Sequence, residues 1–310
     1  MVTEIIIGVS VLIGGIALLA YSSDKAVEHS VRIASGLRVS PLIIGLFVVS
    51  LGTDLPEILN SVISSGVGHG DINVGDSFGS VLAQMTLVLG LVALVGRTIK
   101  VKREEILVLG ACEFLTLIAS ISMVEKGYIS RMNAFFLVAS WPILMVIIKS
   151  VIKKEYTKAR NDPKLPRHLL LAIIFYVGVA VGSYLLVNSV IVLSAETHVP
   201  EYFISFFVVA IGTSLPELAV DLAAVRKKQY DLAIGDAIGS SIIDAGFSIG
   251  IGPLLFPTVV SGRLAETTGL YALIASIAVI LIIALRRKLD KKTGMFCLIL
   301  YGISYAAIFL

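Results

Sequence analysis

Charge is scarce in this sequence: Asp, Glu, Lys and Arg make up 15% of 310 residues, against 57% hydrophobic residues. With a mean hydropathy of +0.96, that balance excludes an ordinary soluble domain, where about a quarter of residues are charged. Cysteine is nearly absent. Cys112 and Cys297 stand inside apolar runs, far from any His or Cys at ligand spacing. They read as small buried hydrophobes that carry no redox information and offer no soft-metal site. The four histidines, His29, His69, His168 and His198, fall at span ends or in loops and read as solvated side chains. No Gly-x-x-x-x-Gly-Lys-Ser/Thr loop is present, so nothing suggests ATP use. The first apolar run lacks a basic leader and an Ala-x-Ala-like cleavage site and so does not read as a cleavable signal.

What the chain has is apolar length. A bilayer core about 30 Å thick and a helical rise of about 1.5 Å per residue require roughly 20 apolar residues per crossing. Ten stretches qualify, near 3–24, 41–65, 72–95, 106–124, 132–148, 169–194, 202–225, 232–256, 268–285 and 294–310. They are apolar all round rather than alternating, which points to helices and not to barrel strands. The expected fold is an all-α polytopic membrane protein with ten transmembrane helices. Cytoplasmic loops retain Lys and Arg, and 22 of the 25 basic residues fall in the loops after spans 1, 3, 5, 7 and 9. Only Lys126, Arg131 and Arg263 fall on the other side. This predicts a cell-membrane protein with both termini outside and the loop 149–168 in the cytoplasm. The basic residues of that loop, Lys149 to Arg167, read as a topology signal or a contact with anionic lipid heads, not as a nucleic-acid surface.

The chain also repeats itself. Laying residue n over n+160 matches Leu51-Gly52-Thr53-Asp54-Leu55-Pro56-Glu57 to Ile211-Gly212-Thr213-Ser214-Leu215-Pro216-Glu217. The same offset matches Gly75-Asp76-Ser77-Phe78-Gly79-Ser80 to Gly235-Asp236-Ala237-Ile238-Gly239-Ser240, and 14 of 44 positions between Phe47 and Gly90 are identical. The matches include Thr, Pro, Glu, Asp and Ser, so apolar bias does not account for them. Five spans separate equivalent helices, and five is odd, so the copies cross the membrane in opposite directions. Two inverted five-helix repeats are expected, residues 1–148 and 169–310, joined by the linker 149–168 with its hinge at Asn161-Asp162-Pro163. Secondary transporters use this plan and place their site at the repeat interface near the midplane.

Acidic residues sit where charge is expensive. Asp54 and Glu57 fall midway along span 2, Glu217 along span 7 and Asp244 along span 8, with no Lys or Arg in the central half of any span. An ionised group there costs several kcal/mol, and the missing positive charge reads as the transported substrate. Pro56 and Pro216 free the carbonyls near Gly52 and Gly212, which are tolerated at membrane depth only beside a cavity or ligand. With Glu57, Glu217, Thr53 and Thr213, each motif offers carboxylate, hydroxyl and carbonyl oxygens. That set suits calcium, which takes six to eight oxygens in a flexible cage, better than magnesium or a soft metal. The Gly-Asp-x-x-Gly-Ser elements let spans 3 and 8 pack closely against spans 2 and 7. Ser80, Gln84, Ser240 and Asp244 follow at helical spacing on spans 3 and 8. Asp76 and Asp236 read as helix N-terminal caps or as lining for access routes from opposite sides. Asp221, near Arg226, reads as a paired boundary residue.

The doubled Gly-Thr-x-Leu-Pro-Glu, each followed by Gly-x-x-x-Gly-Ser, resembles the alpha repeats of the calcium/cation antiporter superfamily. It looks closest to the prokaryotic sodium/calcium exchanger branch and a related archaeal calcium/proton exchanger. The resemblance implies calcium ligation by Glu57 and Glu217 with Thr53 and Thr213, surrounded by Ser80, Ser240, Gln84 and Asp244. It further implies that spans 1 and 6 move against the rest. Relatives that use sodium usually carry Ser where this chain has Asp54, as its own second copy does at Ser214. They have Asn or Asp at Gln84, and Asn at Asp76 and Asp236, so a sodium site at Asp54 is in doubt.

The function these residues predict is secondary antiport of calcium for protons by alternating access, without a cofactor. Asp54 carries the preference for protons. Sodium, held by Thr53, Thr213, Ser80, Ser214 and Ser240, is the alternative counter-ion. A calcium channel would use similar ligands but needs a continuous pore with weak sites. An intramembrane aspartyl protease expects Gly-x-Gly-Asp, whereas the runs here are Asn73-Val74-Gly75-Asp76 and Ala233-Ile234-Gly235-Asp236.

Overall fold

The computed structural model describes residues 2–34, 42, 45–96, 98–151 and 165–308. Eleven helical segments carry most of them. They are α1 (Val2–Ala34), α2 (Gly45–Thr53), α3 (Leu55–Gly66), α4 (Gly70–Val95), α5 (Arg103–Val124), α6 (Arg131–Val151), α7 (Leu165–Thr197), α8 (Glu201–Arg226), α9 (Tyr230–Leu255), α10 (Gly262–Arg286) and α11 (Lys291–Ile308). Among the described residues eight helices, α1 and α4 to α10, are long and apolar enough to cross a membrane. The count rises to nine if α2 and α3, bent by 49° to one another, form one span. The linker residues 152–164, with the hinge at Asn161-Asp162-Pro163, lie outside the described residues, as do residues 35–41 at the start of the expected second span.

The residue order explains which helices are central. α4 and α9 carry the paired glycines and are the most enclosed, whereas α1, α5, α6, α7 and α10 expose large apolar side chains such as Ile13, Leu115, Phe135, Ile173 and Leu285. Lipid supplies no hydrophobic drive between helices, so close backbone approach by small residues does the packing. A Cβ at Gly79 would stand 2.5 Å from the Phe206 carbonyl oxygen, and one at Gly235 would stand 2.6 Å from that of Leu42. The glycine faces therefore cross between the copies: α4 packs on the first half of α8, and α9 packs on α2 and Leu42.

Local geometry follows the offset of 160 found in the sequence. π-helical turns occupy Gly45–Val49 and Ser205–Val209, and again Ala83–Val88 and Ile243–Ser248. Helix breaks fall at Asp54 (φ −74°, ψ 2°) and Ser214 (φ −81°, ψ 4°), two residues before each proline, so Pro56 and Pro216 sit in the first turn of the half-helix that follows. α1 and α7 lie side by side and antiparallel: Gly8 meets Leu193, Gly15 meets Gly182, Gly178 meets Ser22, and His29 meets His168.

Loops gather at two ends. At one, β2 (Tyr128–Ile129) pairs antiparallel with β3 (Thr258–Val259), and His69 bonds Glu201 at 2.7 Å. At the other, β1 (Thr98–Lys100) pairs with β4 (Lys288–Asp290). These short ribbons are additions to the expected all-α fold. Asp290 accepts from the Thr293 N–H at 3.0 Å and meets Arg286 at 2.8 Å. Led by the Thr293 backbone hydrogen bond, these partners push its carboxyl down to about 2. The histidines correct one expectation: His69 bonds Glu201, and His29 and His168 bond each other at 2.9 Å, so these three are not merely solvated. Cys112 and Cys297 are buried and free.

Candidate ion-binding site

Helix breaks and π-turns bring the motif residues of both copies to one buried place. Thr53, Asp54, Gln84, Thr213, Glu217, Ser240 and Asp244 are fully enclosed, and Glu57, Ser80 and Ser214 are buried with them. One oxygen from each of Asp54, Glu57 and Asp244 lies within 4.8 Å of the other two. Asp54 contributes because the chain breaks at its own position, and Asp244 because it lies in the π-turn of α9. Such turns redirect side chains that a regular helix would hold elsewhere, and they recur at functional sites.

Hydrogen bonds cross between the copies. Gln84 Nε2 donates to Asp244 at 2.9 Å, joining equivalent positions of the two copies. Thr53 meets Ser240 at 3.5 Å, and Thr213 meets Ser80 at 3.4 Å, the same pairing with the copies exchanged. Ser80 also donates to Glu57 at 3.4 Å, and Ser248 donates to the second Asp244 oxygen at 3.0 Å. Glu217 is enclosed beside Thr53 and Asp54 but does not join the tightest carboxylate group, so the expected Glu57 and Glu217 pair is joined by Asp54 and Asp244.

Several carboxylate oxygens here have no hydrogen-bond donor: both of Asp54, both of Glu217 and Oε2 of Glu57. Buried polar atoms are nearly always satisfied, so a cluster of orphaned acceptors marks a place for a cation. Every side-chain donor atom is oxygen apart from the Gln84 amide, a hard set suited to calcium or sodium rather than to soft metals.

Three sequence expectations change. Asp76 and Asp236 are not caps, because their helices begin six residues earlier, at Gly70 and Tyr230. Both are buried: Asp76 accepts from Asn60 at 2.5 Å and from Thr213 at 2.9 Å, while Asp236 has no donor. Asp221 is not paired with Arg226 but fully enclosed and turned toward Asp236. Sequence reasoning missed Glu113, a fully buried acid on α5 that accepts from Ser241 at 2.8 Å. The signal available was an acid midway along an apolar run, but Glu113 lies in no repeated motif.

A family model described as sodium/calcium exchanger protein matches residues 7–149 and 167–310. The chain belongs to the sodium/calcium exchanger family. An uncharacterized membrane protein of Methanocaldococcus jannaschii is 31% identical over 309 residues, covering 98% of this chain and 99% of that one. The putative antiporter CaxA of Alkalimonas amylolytica is 29% identical over 305 residues, covering 92% and 93%. The solved structure of the sodium-calcium exchanger NCX_Mj, soaked with 100 mM Na+ and 10 mM Sr2+, superposes with a TM-score of 0.70 at 32% identity, covering 97% of this chain and 98% of that one. The chain is thus a multi-pass membrane antiporter of the calcium/cation type, a secondary transporter rather than an enzyme.

Proposed function

We propose that the chain exchanges calcium for protons by alternating access at the cluster of Asp54, Glu57, Glu217 and Asp244. The observation that carries this reading is charge. Eight acidic side chains are buried among the described residues, and no Lys or Arg is. Calcium cancels two negative charges; when it leaves, that many carboxylates do not all stay ionised in a poorly hydrated interior, and protons compensate them. Calcium and protons then exclude each other from the same oxygens, which suffices for exchange once both occupied forms switch sides. Thr53, Thr213, Ser80, Ser240, Ser214 and Gln84 complete the oxygen shell, with carbonyls freed near Gly52 and Gly212.

The scaffold in this reading is a pair of inverted repeats, residues 1–148 and 169–310, with ten crossings, both termini outside and the linker 149–168 in the cytoplasm. The element offset of 160, the crossed Thr–Ser pairs and the antiparallel α1 and α7 support it. α1 and α7 are the elements that slide. Sodium is the second reading, favoured by the likeness to NCX_Mj and by the hydroxyls around the cluster. The deciding experiment is calcium flux in sodium-free proteoliposomes under an imposed pH gradient with the membrane potential clamped. Uptake there supports proton exchange; no movement there, together with uptake driven by an outward sodium gradient, rejects it for sodium.

A further inference from the structure

The two copies differ at one place in a way the central cluster does not use. In the first copy Asp76 is satisfied twice, by the Asn60 amide at 2.5 Å and the Thr213 hydroxyl at 2.9 Å. Its counterpart Asp236 has neither partner. The position equivalent to Asn60 is Val220. Thr53, equivalent to Thr213, makes the same kind of bonds to the carbonyls of Val49 and Ser50, both at 3.2 Å, that Thr213 makes to Val209 and Ala210, but none to Asp236. Where the first copy has Ser61, the second has Asp221, whose carboxyl faces that of Asp236. Both side chains are fully enclosed, and no amide, hydroxyl or backbone N–H donates to any of the four oxygens, which leaves the two carboxyls only each other. A buried carboxylate facing another carboxylate, with neither amide nor hydroxyl to satisfy it, is an incomplete polar group that calls for a positive ligand.

Position gives this pair a role. Asp221 lies one turn beyond Glu217 on α8, and Asp236 one turn before Ser240 on α9, so the pair extends the acidic face of the central cluster by one helical turn. Beside α8 and α9 opens a cavity of about 540 Å³ whose lining includes Asp24, Lys25, Glu28, Val220, Lys227 and Leu232, with Lys25 paired to Asp24 at 3.7 Å and to Glu28 at 2.9 Å. Neither carboxylate lines that cavity, but Leu232 is one turn before Asp236 and Val220 adjoins Asp221 along the chain, so its lining and the pair share the same two helices.

Building on the calcium reading above, we propose that Asp221 and Asp236 form a second calcium site, a station between this cavity and the central cluster. One divalent ion balances two ionised carboxylates, whereas one shared proton leaves a negative charge uncompensated in the membrane interior. The two carboxylates offer four oxygens, and water from the cavity completes the six to eight that calcium takes.

The test is equilibrium dialysis of the purified full-length chain in lipid nanodiscs with radioactive calcium. Wild type is compared with Asp221→Asn/Asp236→Asn, with Glu57→Gln/Glu217→Gln, and with all four substitutions together. We expect two calcium ions per wild-type chain at saturation, one in either double variant and none in the combination. In vesicles loaded from the cavity side, the Asp221→Asn/Asp236→Asn variant raises the half-saturating calcium by about tenfold or more, with the opposite side unchanged. Asp221→Ser, which installs the first copy's own residue, provides the same comparison if the double variant does not fold. A wild-type chain that saturates at one calcium, and keeps it in Asp221→Asn/Asp236→Asn or Asp221→Ser, overturns the second site. A variant that releases fewer protons per calcium while binding as much overturns it in favour of a proton pair. Failure of the central reading looks different, since Glu57→Gln/Glu217→Gln would then bind calcium as wild type does.

Discussion

Replacing Asp54 by serine, the residue the second copy carries at Ser214, tests the coupling at its source. Asp54, Glu57 and Asp244 bring carboxylate oxygens within 4.8 Å of one another. At an effective dielectric of about 20, two unit charges at that spacing repel by about 3.5 kcal/mol. Asp54 takes part in two of the three pairs, so the substitution removes roughly 7 kcal/mol of repulsion from the calcium-free, fully ionised cluster. The remaining acids then need less compensation when calcium leaves. Sodium-free calcium uptake by the variant is therefore expected to move its pH midpoint downward by about one unit or more, since one unit corresponds to about 1.4 kcal/mol. Protons released per calcium bound should fall as well. The assay is uptake into proteoliposomes across a series of external pH values, beside wild type at matched protein density. An unchanged midpoint together with unchanged proton release would refute the assignment of coupling to Asp54.

Glu57→Gln and Glu217→Gln each keep the side-chain shape while removing a charge, so each should abolish calcium transport with an unaltered size-exclusion profile; near-normal exchange in either would remove that residue from the site. Gly79→Ala places a methyl 2.5 Å from the Phe206 carbonyl and 2.6 Å from Ala210 Cβ, so thermal melting should report a loss of about 1–3 kcal/mol together with reduced transport. Glu113→Ala leaves the Ser241 hydroxyl without its acceptor and should cost about 1–3 kcal/mol in the same melt, with Glu113→Gln restoring most of it; equal melting of Ala and wild type would deny the anchor. A cysteine introduced by Lys158→Cys, in a background lacking Cys112 and Cys297, should react with an impermeant thiol reagent from the cytoplasmic side alone, and labelling from outside intact cells would invert the topology.

The sequence by itself determined the solvent, the element type and which acids are candidates for the chemistry. Apolar runs of about 20 residues have few stable alternatives to membrane helices, because the bilayer satisfies no backbone polar group from outside. The offset of 160 was legible because the repeat kept Thr, Pro, Glu, Asp and Ser as well as aliphatic residues, and the same offset reappears in the breaks at Asp54 and Ser214 and in the paired π-turns. Acids without cations in those runs marked the candidate site before any fold was known. Tertiary structure alone decided which acids meet. Asp54 joins Glu57 and Asp244 because a chain break turns it inward and a π-turn presents Asp244, and neither event has a period that a sequence pattern displays. Glu113 reached the interior through packing of α5 on α9 and α10, outside any motif. The partner of Asp221 was misread for the same reason: spacing along α8 put Arg226 nearby, whereas the packing of α8 on α9 turned the carboxyl toward Asp236. Helical periodicity says which residues share a face, but which neighbouring face they meet is set by backbone approach, here by glycines that let the two copies interlock.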